Sequence, residues 1–222
     1  MEKDFTYAHN DTSSPERVSA TAQFNVPKLG DGLKEIRRNA FANSVPVCDD
    51  ETLCFLGTLL YALKPKRILE LGTAVGAFSA YAAQICTSAH ITTIERDENF
   101  FAQAKANFAS FGVADRVTAI CGDAGEVIKT LSDKFDFIFM DCAKVQYVKY
   151  LPDLKNLLEK GGVLAADDVL LYGYVTGEVE TPKKRRMLVE HIREYINAVT
   201  SDGELDTTII NTGDGIALSV KI

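Results

Sequence analysis

Two patterns of apolar residues alternate along the chain from residue 67 onward. Short runs of strand character occur seven times, at residues 67–71, 90–95, 116–120, 135–140, 161–167, 206–210 and 215–222. Five later segments have helical spacing, at residues 77–86, 98–111, 124–131, 145–159 and 182–199. Strands that alternate with helices predict a parallel sheet with helices on both faces.

The two ends of the chain modify this pattern. The last two strand-like runs are joined by the short segment NTGDG, which predicts a hairpin and therefore an antiparallel C-terminal strand. Before the first strand, residues 29–43 have a helical period, and a second helix begins at Asp49 or Asp50 and ends at Pro65. We therefore predict a doubly wound, mostly parallel seven-stranded α/β sheet with N-terminal helices. Polar residues dominate the start of the chain, so we expect a flexible tail over residues 1–25 and one domain over residues 26–222.

Length, composition and charge restrict the class of protein. A chain of 222 residues, 46% of them hydrophobic, fits one globular domain. Its apolar runs are far shorter than the roughly 18 residues that span a bilayer, and the N-terminus lacks signal-peptide character, so we expect a cytoplasmic protein that does not contact membranes. Five cysteines without a C-x-x-C pair argue against a disulfide framework or structural zinc. The net charge of −7 disfavours broad binding to nucleic acid but allows a local basic patch.

The loops after the strands hold the candidate binding residues, because ligands of open α/β sheets bind beyond the carboxyl ends of the strands. Gly72 and Gly76 in the first loop let the backbone approach a ligand, although a tight turn without a ligand gives the same pattern. Glu95, at the end of the second strand, is placed to accept hydrogen bonds from ribose hydroxyls, which indicates an adenosine-containing cofactor; the alternative is a solvated carboxylate. Asp123 either contacts adenine or caps the helix that begins at Ala124.

Acidic residues follow two neighbouring strands of the predicted sheet. Asp141 comes directly after the fourth strand, and Asp167 and Asp168 end the fifth, so we expect three carboxylates to converge. Such a cluster favours a hard divalent cation, Mg²⁺ in the first place, although each aspartate is equally compatible with a helix cap or a turn. Lys144 lies three residues after Asp141, where a neighbouring dication and a cationic cofactor would lower its pKa and make it a general base. The alternative is an exposed lysine in a helical first turn.

Four consecutive cations open the predicted helix over residues 182–199. Lys183, Lys184, Arg185 and Arg186 oppose the helix dipole there, a cost that a docked polyanion such as RNA would offset. An ordinary solvated basic turn explains the same residues equally well.

Several motifs together resemble a known family. They are ILELGTAVGAFSA, TTIERD, GDA, FIFMDCAKVQYVKYLPDL, LLEKGGVLAADDVLLYGYV and NTGDGIALSVK, in that order from about Val45 to the C-terminus. The set resembles the metal-dependent class I S-adenosylmethionine (SAM) O-methyltransferases of the catechol and caffeoyl-CoA type, whose fold is a Rossmann-like doubly wound sheet. The segments AKVQY and DDVLLYGYV look most like the bacterial branch that includes the tRNA 5-hydroxyuridine methyltransferase.

The resemblance implies a set of site residues, with SAM as cofactor and Mg²⁺, or else Mn²⁺ or Ca²⁺, as metal. It implies a cofactor site made of Val47, Glu70, Gly72, Ala74, Gly76, Phe78, Ser79, Glu95, Asp123, Ala124 and Asp141. It implies a metal held by Asp141, Asp167 and Asp168, and catalysis by Lys144 and Asp141. It also implies a homodimer.

Two departures from the family pattern weaken individual assignments. The usual Asp-Asn pair is Asp167-Asp168 here, which adds a negative charge to the site. The usual Gly-Tyr-Ser is GAFS at residues 76–79, so Ser79, the residue that would meet the methionine carboxylate, comes one position late.

The expected activity is O-methylation of a hydroxyl that has a second oxygen beside it. Both 5-hydroxyuridine of tRNA, our first expectation, and a small catechol or caffeoyl-CoA-like aromatic offer such a pair of oxygens. A nucleotide-binding protein without catalysis is a distant alternative, but the first loop lacks the G-x-G-x-x-G spacing and that function leaves the aspartates unexplained. A partner-binding protein that uses LGTLLYAL as a dimer face is less compatible still.

Overall fold

A computed structural model describes residues 22–222, and a seven-stranded sheet forms the centre of that part of the chain. The strands are β1 (Arg67–Leu71), β2 (His90–Glu95), β3 (Val117–Cys121), β4 (Phe135–Met140), β5 (Leu158–Ala166), β6 (Leu205–Ile210) and β7 (Ile216–Lys221). Their order in the sheet is β3-β2-β1-β4-β5-β7-β6. The first five strands are parallel, and β7 runs antiparallel to both β5 and β6. The predicted doubly wound sheet with its antiparallel C-terminal strand is confirmed.

Seven helices cover the sheet in the described part of the chain. They are α1 (Asp31–Ala42), α2 (Asp50–Leu63), α3 (Ala77–Ile85), α4 (Glu98–Ser110), α5 (Ala124–Val127), α6 (Tyr147–Leu157) and α7 (Arg186–Ser201). Asp49 caps α2 by accepting a hydrogen bond from the Thr52 amide at 2.7 Å, as the acidic start of that helix predicts. Among residues 22–222, no helix is long and apolar enough to cross a membrane.

Alternating side chains of β1 divide the interior into two cores. Ile68 packs with α1 to α4 on one face, whereas Leu69 and Leu71 pack with α6 and α7 on the other. Each fully buried side chain of this size contributes about 1.5–3 kcal/mol. The pattern leaves Glu70 as a buried acid on the first face, at the carboxyl end of the central strand.

Several element boundaries differ from the prediction. β5 begins at Leu158 rather than at residue 161, because Leu158 pairs with Phe135 before a register shift in that ladder. The last two residues of the predicted helix over 145–159 therefore belong to β5, and the helix itself is a 3-10 turn at residues 144–146 followed by α6. The predicted helix over 124–131 is α5 followed by a second 3-10 turn, at residues 128–130.

The predicted tail over residues 1–25 lies mainly outside the described residues. At its end, residues 22–24 form a 3-10 turn, and the Asn25 side-chain amide donates a hydrogen bond to Glu51 Oε1 at 3.2 Å.

The sheet order reverses between β1 and β4, which places the topological switch point at their shared edge. Asp141 N donates to Leu71 O at 2.9 Å, and Asp167 N donates to Met140 O at 3.0 Å, so the ends of β1, β4 and β5 are joined by hydrogen bonds. The loops that leave these three strands therefore start side by side, where ligands of such sheets bind.

Candidate active site

The glycine turn after β1 is pressed against the end of β4. Gly72 has φ +96°, and a Cβ atom there would lie 2.0 Å from the Asp141 carbonyl oxygen, so a larger residue does not fit. Gly76 has φ +80° and packs in the same way against the ring of Phe108. Gly72 is therefore required by the close approach of the backbone after β4, and Gly76 by the close packing of side chains from α4.

A small hollow opens beside this turn. It is lined by Pro46, Val47, Cys48, Glu70, Gly72, Thr73, Ala74, Ala77, Phe78, Phe139 and Asp141. Six of the predicted cofactor residues meet here: Val47, Glu70, Gly72, Ala74, Phe78 and Asp141. Gly76 and Ser79 are not among the lining residues. Pro46 and Cys48 were missed by the prediction, although they flank Val47 in the extended segment before α2.

The buried carboxyl group of Glu70 is held by hydroxyl groups. Thr93 Oγ1 donates to Glu70 Oε2 at 2.5 Å, and Ser79 Oγ donates to the same oxygen. Burial raises the pKa of Glu70 to about 8, and the two hydroxyl donors act in the opposite direction. Ser79 is therefore engaged by Glu70 in this structure, and its contact with the methionine carboxylate of the cofactor stays a prediction.

The acidic residues after β2 and β3 make local backbone contacts. Glu95 Oε2 accepts from Ala74 N at 2.8 Å and Glu95 Oε1 from Asp97 N at 2.9 Å, so this carboxylate ties the glycine turn to β2. Asp123 caps α5 by accepting from Glu126 N at 3.2 Å, which is the capping alternative, and Ala124 is the first residue of that helix. The contacts of Glu95 and Asp123 with ribose and adenine stay predictions.

The three aspartates after β4 and β5 lie close to one another. The Tyr147 hydroxyl donates to Met140 O at 2.9 Å and to Asp167 O at 3.2 Å, which fixes the two strand ends together. Lys144 Nζ lies 2.7 Å from Asp141 Oδ1 and 2.9 Å from Asp168 Oδ2. All of these side chains are at most 15% exposed, so the ammonium and the two carboxylates form a nearly desolvated cluster.

Burial and two neighbouring carboxylates have opposite effects on the pKa of Lys144. Burial acts to lower its pKa, but the adjacent carboxylates of Asp141 and Asp168 outweigh burial, and the pKa is raised well above its usual value. The predicted lowering of this pKa depends on a neighbouring metal ion and a cationic cofactor and stays a prediction, whereas the two carboxylates act in the opposite direction. The alternative interpretation of Lys144 as an exposed lysine is wrong, because only 10% of its side chain is accessible.

Asp167 occupies the deepest position in the cluster. Its Oδ1 accepts from Thr52 Oγ1 at 3.3 Å and from the Asp168 amide at 2.9 Å. Burial raises the pKa of Asp167 well above its usual value, and the charges of Asp168 and Asp141 raise it further. Thr52 lies 115 residues away along the chain, and no pattern in the sequence indicated its contact with the acidic pair.

These residues fit a divalent cation by their chemistry but are not arranged around one. Two carboxylates contact the Lys144 ammonium, and Asp167 adds a third carboxyl group next to Asp168, so hard oxygen donors and negative charge are in excess. Within residues 22–222, no group of three or more His, Cys, Asp or Glu side chains is positioned to hold a metal ion. Lys144 lies between Asp141 and Asp168 and relieves their repulsion, and the role of the three aspartates as metal ligands stays a prediction.

The run of four cations does not form a helical first turn. Residues 183–185 are a 3-10 turn and α7 begins at Arg186, so that prediction is wrong. Arg185 is buried, and its guanidinium carbon lies 5.6 Å from the centre of the Tyr172 ring, whereas Lys183, Lys184 and Arg186 are exposed. Burial raises the pKa of Tyr172 to about 12, and the charge of Asp168 raises it further.

Comparison with known proteins shows which family this chain matches. The O-methyltransferase family profile matches residues 20–222. The caffeoyl-CoA O-methyltransferase of Populus kitakamiensis is 32% identical over 187 residues, which are 81% of this chain and 78% of that protein. A solved structure from Staphylococcus aureus, described as a caffeoyl-CoA O-methyltransferase, has a TM-score of 0.81 and 34% identity and covers 87% of this chain and 93% of its own. The O-methyltransferase TomG of Streptomyces achromogenes, solved with SAM, has a TM-score of 0.77 and 25% identity, with coverage of 87% and 91%.

Proposed function

Since the chain belongs to the O-methyltransferase family of the caffeoyl-CoA and catechol type, and is a SAM-dependent O-methyltransferase, we propose that it methylates a hydroxyl with a second oxygen beside it. The observation that carries the proposal is the position of Asp141. Asp141 lines the hollow that holds the cofactor candidates, and it also pairs with Lys144 beside Asp168. A methyl donor in the hollow and an acceptor oxygen at the acidic cluster would therefore be neighbours.

The cofactor is assigned to the hollow beside the glycine turn. Gly72 and Ala74 bring the backbone to its wall, and Glu70 supplies a buried carboxyl group. A cationic group of the cofactor beside Glu70 would favour the ionised carboxylate and so lower the raised pKa of that residue. Glu95 would accept hydrogen bonds from the ribose hydroxyls through lone pairs that its two backbone contacts leave available.

The metal is assigned to Asp141, Asp167 and Asp168, whose oxygen donors suit Mg²⁺, Mn²⁺ or Ca²⁺. When bound, such an ion supplies Lewis acidity that lowers the pKa of an acceptor hydroxyl. The carboxylates that raise the pKa of Lys144 favour its ammonium form, so we assign to it a hydrogen bond to the acceptor oxygen as negative charge develops. The general-base role predicted for Lys144 requires the neutral amine, which a neighbouring metal ion and a cationic cofactor would favour.

The methyl transfer itself is a direct displacement. The acceptor oxygen forms a bond to the methyl carbon while the bond between that carbon and the sulfonium sulfur breaks. The hydroxyl proton passes through a carboxylate of the acidic cluster to solvent, and the products are a methyl ether and S-adenosylhomocysteine. The protein contributes by holding the two reactants in line in a nearly water-free site, which is typically a large part of the rate in such reactions.

We propose 5-hydroxyuridine of tRNA as the acceptor. Its 5-hydroxyl and 4-carbonyl oxygens are adjacent, as the acidic cluster requires. The exposed cations Lys183, Lys184 and Arg186 support a polyanionic substrate, and Arg185 contacts Tyr172, which lies four residues after Asp168 in the chain. The overall charge of −7 is compatible with this assignment, because a local patch is sufficient.

A small catechol or a caffeoyl-CoA-like aromatic is the second candidate. It is supported by the similarity to a caffeoyl-CoA O-methyltransferase over 81% of the chain. An acyl-CoA acceptor also carries phosphates, so the basic turn is compatible with it.

Charge reversal in the basic turn distinguishes the two acceptors. A variant with Lys183, Lys184 and Arg186 changed to Glu is compared with the wild type on tRNA that contains 5-hydroxyuridine and on a simple catechol. Phosphate contacts dominate affinity for RNA, so we expect transfer to tRNA to fall at least about tenfold while transfer to the catechol is kept. Equal loss on both acceptors would contradict the RNA assignment.

A matched control makes the same change in charge away from the site. Lys66 and Lys160 lie at the opposite edge of the sheet, before β1 and near the start of β5, and Lys105 is exposed on α4. The triple change of these lysines to Glu should leave transfer to tRNA within about threefold of the wild type, because only screened, long-range interactions change.

A further inference from the structure

The turn between β6 and β7 lies directly behind the acidic pair. This hairpin turn consists of Thr212, Gly213, Asp214 and Gly215, and the proposed function gives it no role. All four residues are buried, including Asp214, although it carries a carboxyl group. A buried carboxylate in a turn requires hydrogen-bond donors, so its partners indicate what the turn holds in place.

Asp214 binds the backbone of the loop that follows β5. Tyr172 N donates to Asp214 Oδ1 at 2.5 Å, and Leu170 N donates to Asp214 O at 2.9 Å. Val169 N donates to Gly215 O at 2.9 Å. Three amides within four residues of this loop are therefore accepted by two residues of the hairpin turn.

The loop that these contacts hold has an unusual backbone. Asp168, Leu171 and Tyr172 have φ angles of +58°, +45° and +57°, although none of them is glycine. Side chains disfavour this left-handed region, so the conformation persists only where surrounding contacts impose it. The bonds from Asp214 and Gly215 are such contacts, and they begin one residue after Asp168.

The same turn also touches the other side of the acidic pair. A Cβ atom on Gly213 would lie 2.3 Å from Asp49 Oδ2 and 2.5 Å from Thr52 Oγ1, so the turn packs directly on the start of α2. Thr52 Oγ1 in turn donates to Asp167 Oδ1 at 3.3 Å. The hairpin turn thus contacts the supports of both Asp167 and Asp168.

We propose that Asp214 is a positioning residue: by accepting the Tyr172 amide it holds the left-handed loop that places Asp168 beside Lys144. The inference rests on the proposed function for its catalytic consequence, but the loop contact itself does not depend on the identity of the acceptor. Asp214 touches no reacting atom and acts through Asp168 and Tyr172.

Three substitutions of Asp214 test separately whether an accepting oxygen, its negative charge or its position is needed. Asp214→Asn keeps an oxygen acceptor at the same place, Asp214→Glu keeps the charge but moves the oxygen, and Asp214→Ala removes both. Asp202→Ala is the matched control, because Asp202 also accepts a backbone amide, Glu204 N at 2.9 Å, in the connection between α7 and β6. All four are made in the full chain.

The first readout is hydrogen exchange of the amides in residues 168–173, measured by mass spectrometry on the protein without ligands. We expect exchange in this segment to be at least about tenfold faster in Asp214→Ala and Asp214→Glu, and unchanged in Asp214→Asn and Asp202→Ala. The second readout is methyl transfer at saturating SAM. Residues that orient metal or substrate ligands typically contribute about 10–100-fold, so Asp214→Ala and Asp214→Glu should lose that much kcat/KM while the Kd for SAM stays constant.

Each contrary result overturns the proposal. Unchanged exchange at residues 168–173 in both Asp214→Ala and Asp214→Glu would show that Asp214 does not hold the loop. Equal impairment of Asp214→Asn and Asp214→Glu would show that an accepting oxygen at this position is not what matters. If Asp214→Ala does not fold, the comparison of Asp214→Asn with Asp214→Glu decides alone. A wild-type protein that methylates neither acceptor would refute the proposed substrates, whereas the exchange readout would still test the loop contact.

Discussion

Replacing Lys144 with Met tests whether its ammonium is what keeps two carboxylates together in the absence of a metal. Met has nearly the same length and no charge, so the change removes the positive charge between Asp141 and Asp168 with little loss of volume. The structure places Nζ within 2.9 Å of both carboxylates, and all three side chains are at most 15% exposed.

The size of the effect follows from that burial. Removing one partner of a buried ion pair typically costs about 3–5 kcal/mol, because the remaining charge is left uncompensated. For a chain of this length each kcal/mol shifts Tm by about 2–4 °C, so we expect Tm to fall by roughly 6–20 °C. A divalent cation at 100 times its Kd stabilises the folded protein by about 2.7 kcal/mol. Because the cation must displace Lys144 in the wild type but not in the variant, Mn²⁺ should raise Tm more in Lys144→Met.

Thermal unfolding with a chelator and then with excess Mn²⁺ measures both effects. Lys155→Met is the matched control, because Lys155 Nζ also contacts two carboxylates, Asp202 and Glu204, each at 2.6 Å. That site is more solvated and lies between α6 and the start of β6, so we expect a loss of about 1 kcal/mol or less and no response to Mn²⁺. A change below about 1 kcal/mol in Lys144→Met with chelator, or equal responses of the two variants to Mn²⁺, would refute the reasoning.

Three further predictions concern buried contacts around the site. Burial raises the pKa of Glu70 from 4.5 to about 8, so the free energy of unfolding should fall as the pH rises from about 4.5 to about 8, by at most about 5 kcal/mol. Urea unfolding across this range should show that decrease in the wild type and not in Glu70→Gln. Gly72→Ala should destabilise the protein by about 2–4 kcal/mol and abolish SAM binding, measured by calorimetry, because the added Cβ would lie 2.0 Å from the Asp141 carbonyl oxygen; binding at wild-type affinity would contradict the close packing. Tyr147→Phe removes the donor shared by Met140 O and Asp167 O and should cost about 1–3 kcal/mol in urea unfolding; a neutral effect would show that water replaces the hydroxyl.

Local patterns were sufficient to predict most of the fold. The bounds of β1, β2 and β4 coincide with the predicted runs, because buried parallel strands are continuous apolar segments that turns delimit sharply. The start of β5 was missed, since its first residues, Leu158 to Lys160, have no strand pattern and are added by pairing with Phe135. The start of α7 was missed because a 3-10 turn and a helical turn have nearly the same sequence signals.

The candidate site was predictable where it follows from topology. The ends of β4 and β5 are neighbours, so Asp141 and Asp168 had to come close. Lys144 lies between them because its charge relieves the repulsion of the two carboxylates. The spacing of the residues in the sequence does not indicate this contact. The contact of Asp214 with Tyr172 joins segments 42 residues apart and was not indicated by any local period. The cytoplasmic location, the homodimer and the flexible tail stay predictions.

Asp141 is proposed to stand where the methyl donor and the acceptor meet, and transfer of a labelled methyl group tests this most directly. The wild type and Asp141→Ala are incubated with labelled SAM, Mg²⁺ and tRNA that contains 5-hydroxyuridine, and the nucleosides are analysed by mass spectrometry. We predict labelled 5-methoxyuridine from the wild type and at least about 100-fold less from Asp141→Ala, because charge stabilisation and positioning at the acceptor are lost together. Labelled tRNA produced equally by both proteins, or no labelled product from the wild type on either tRNA or a catechol, would contradict it.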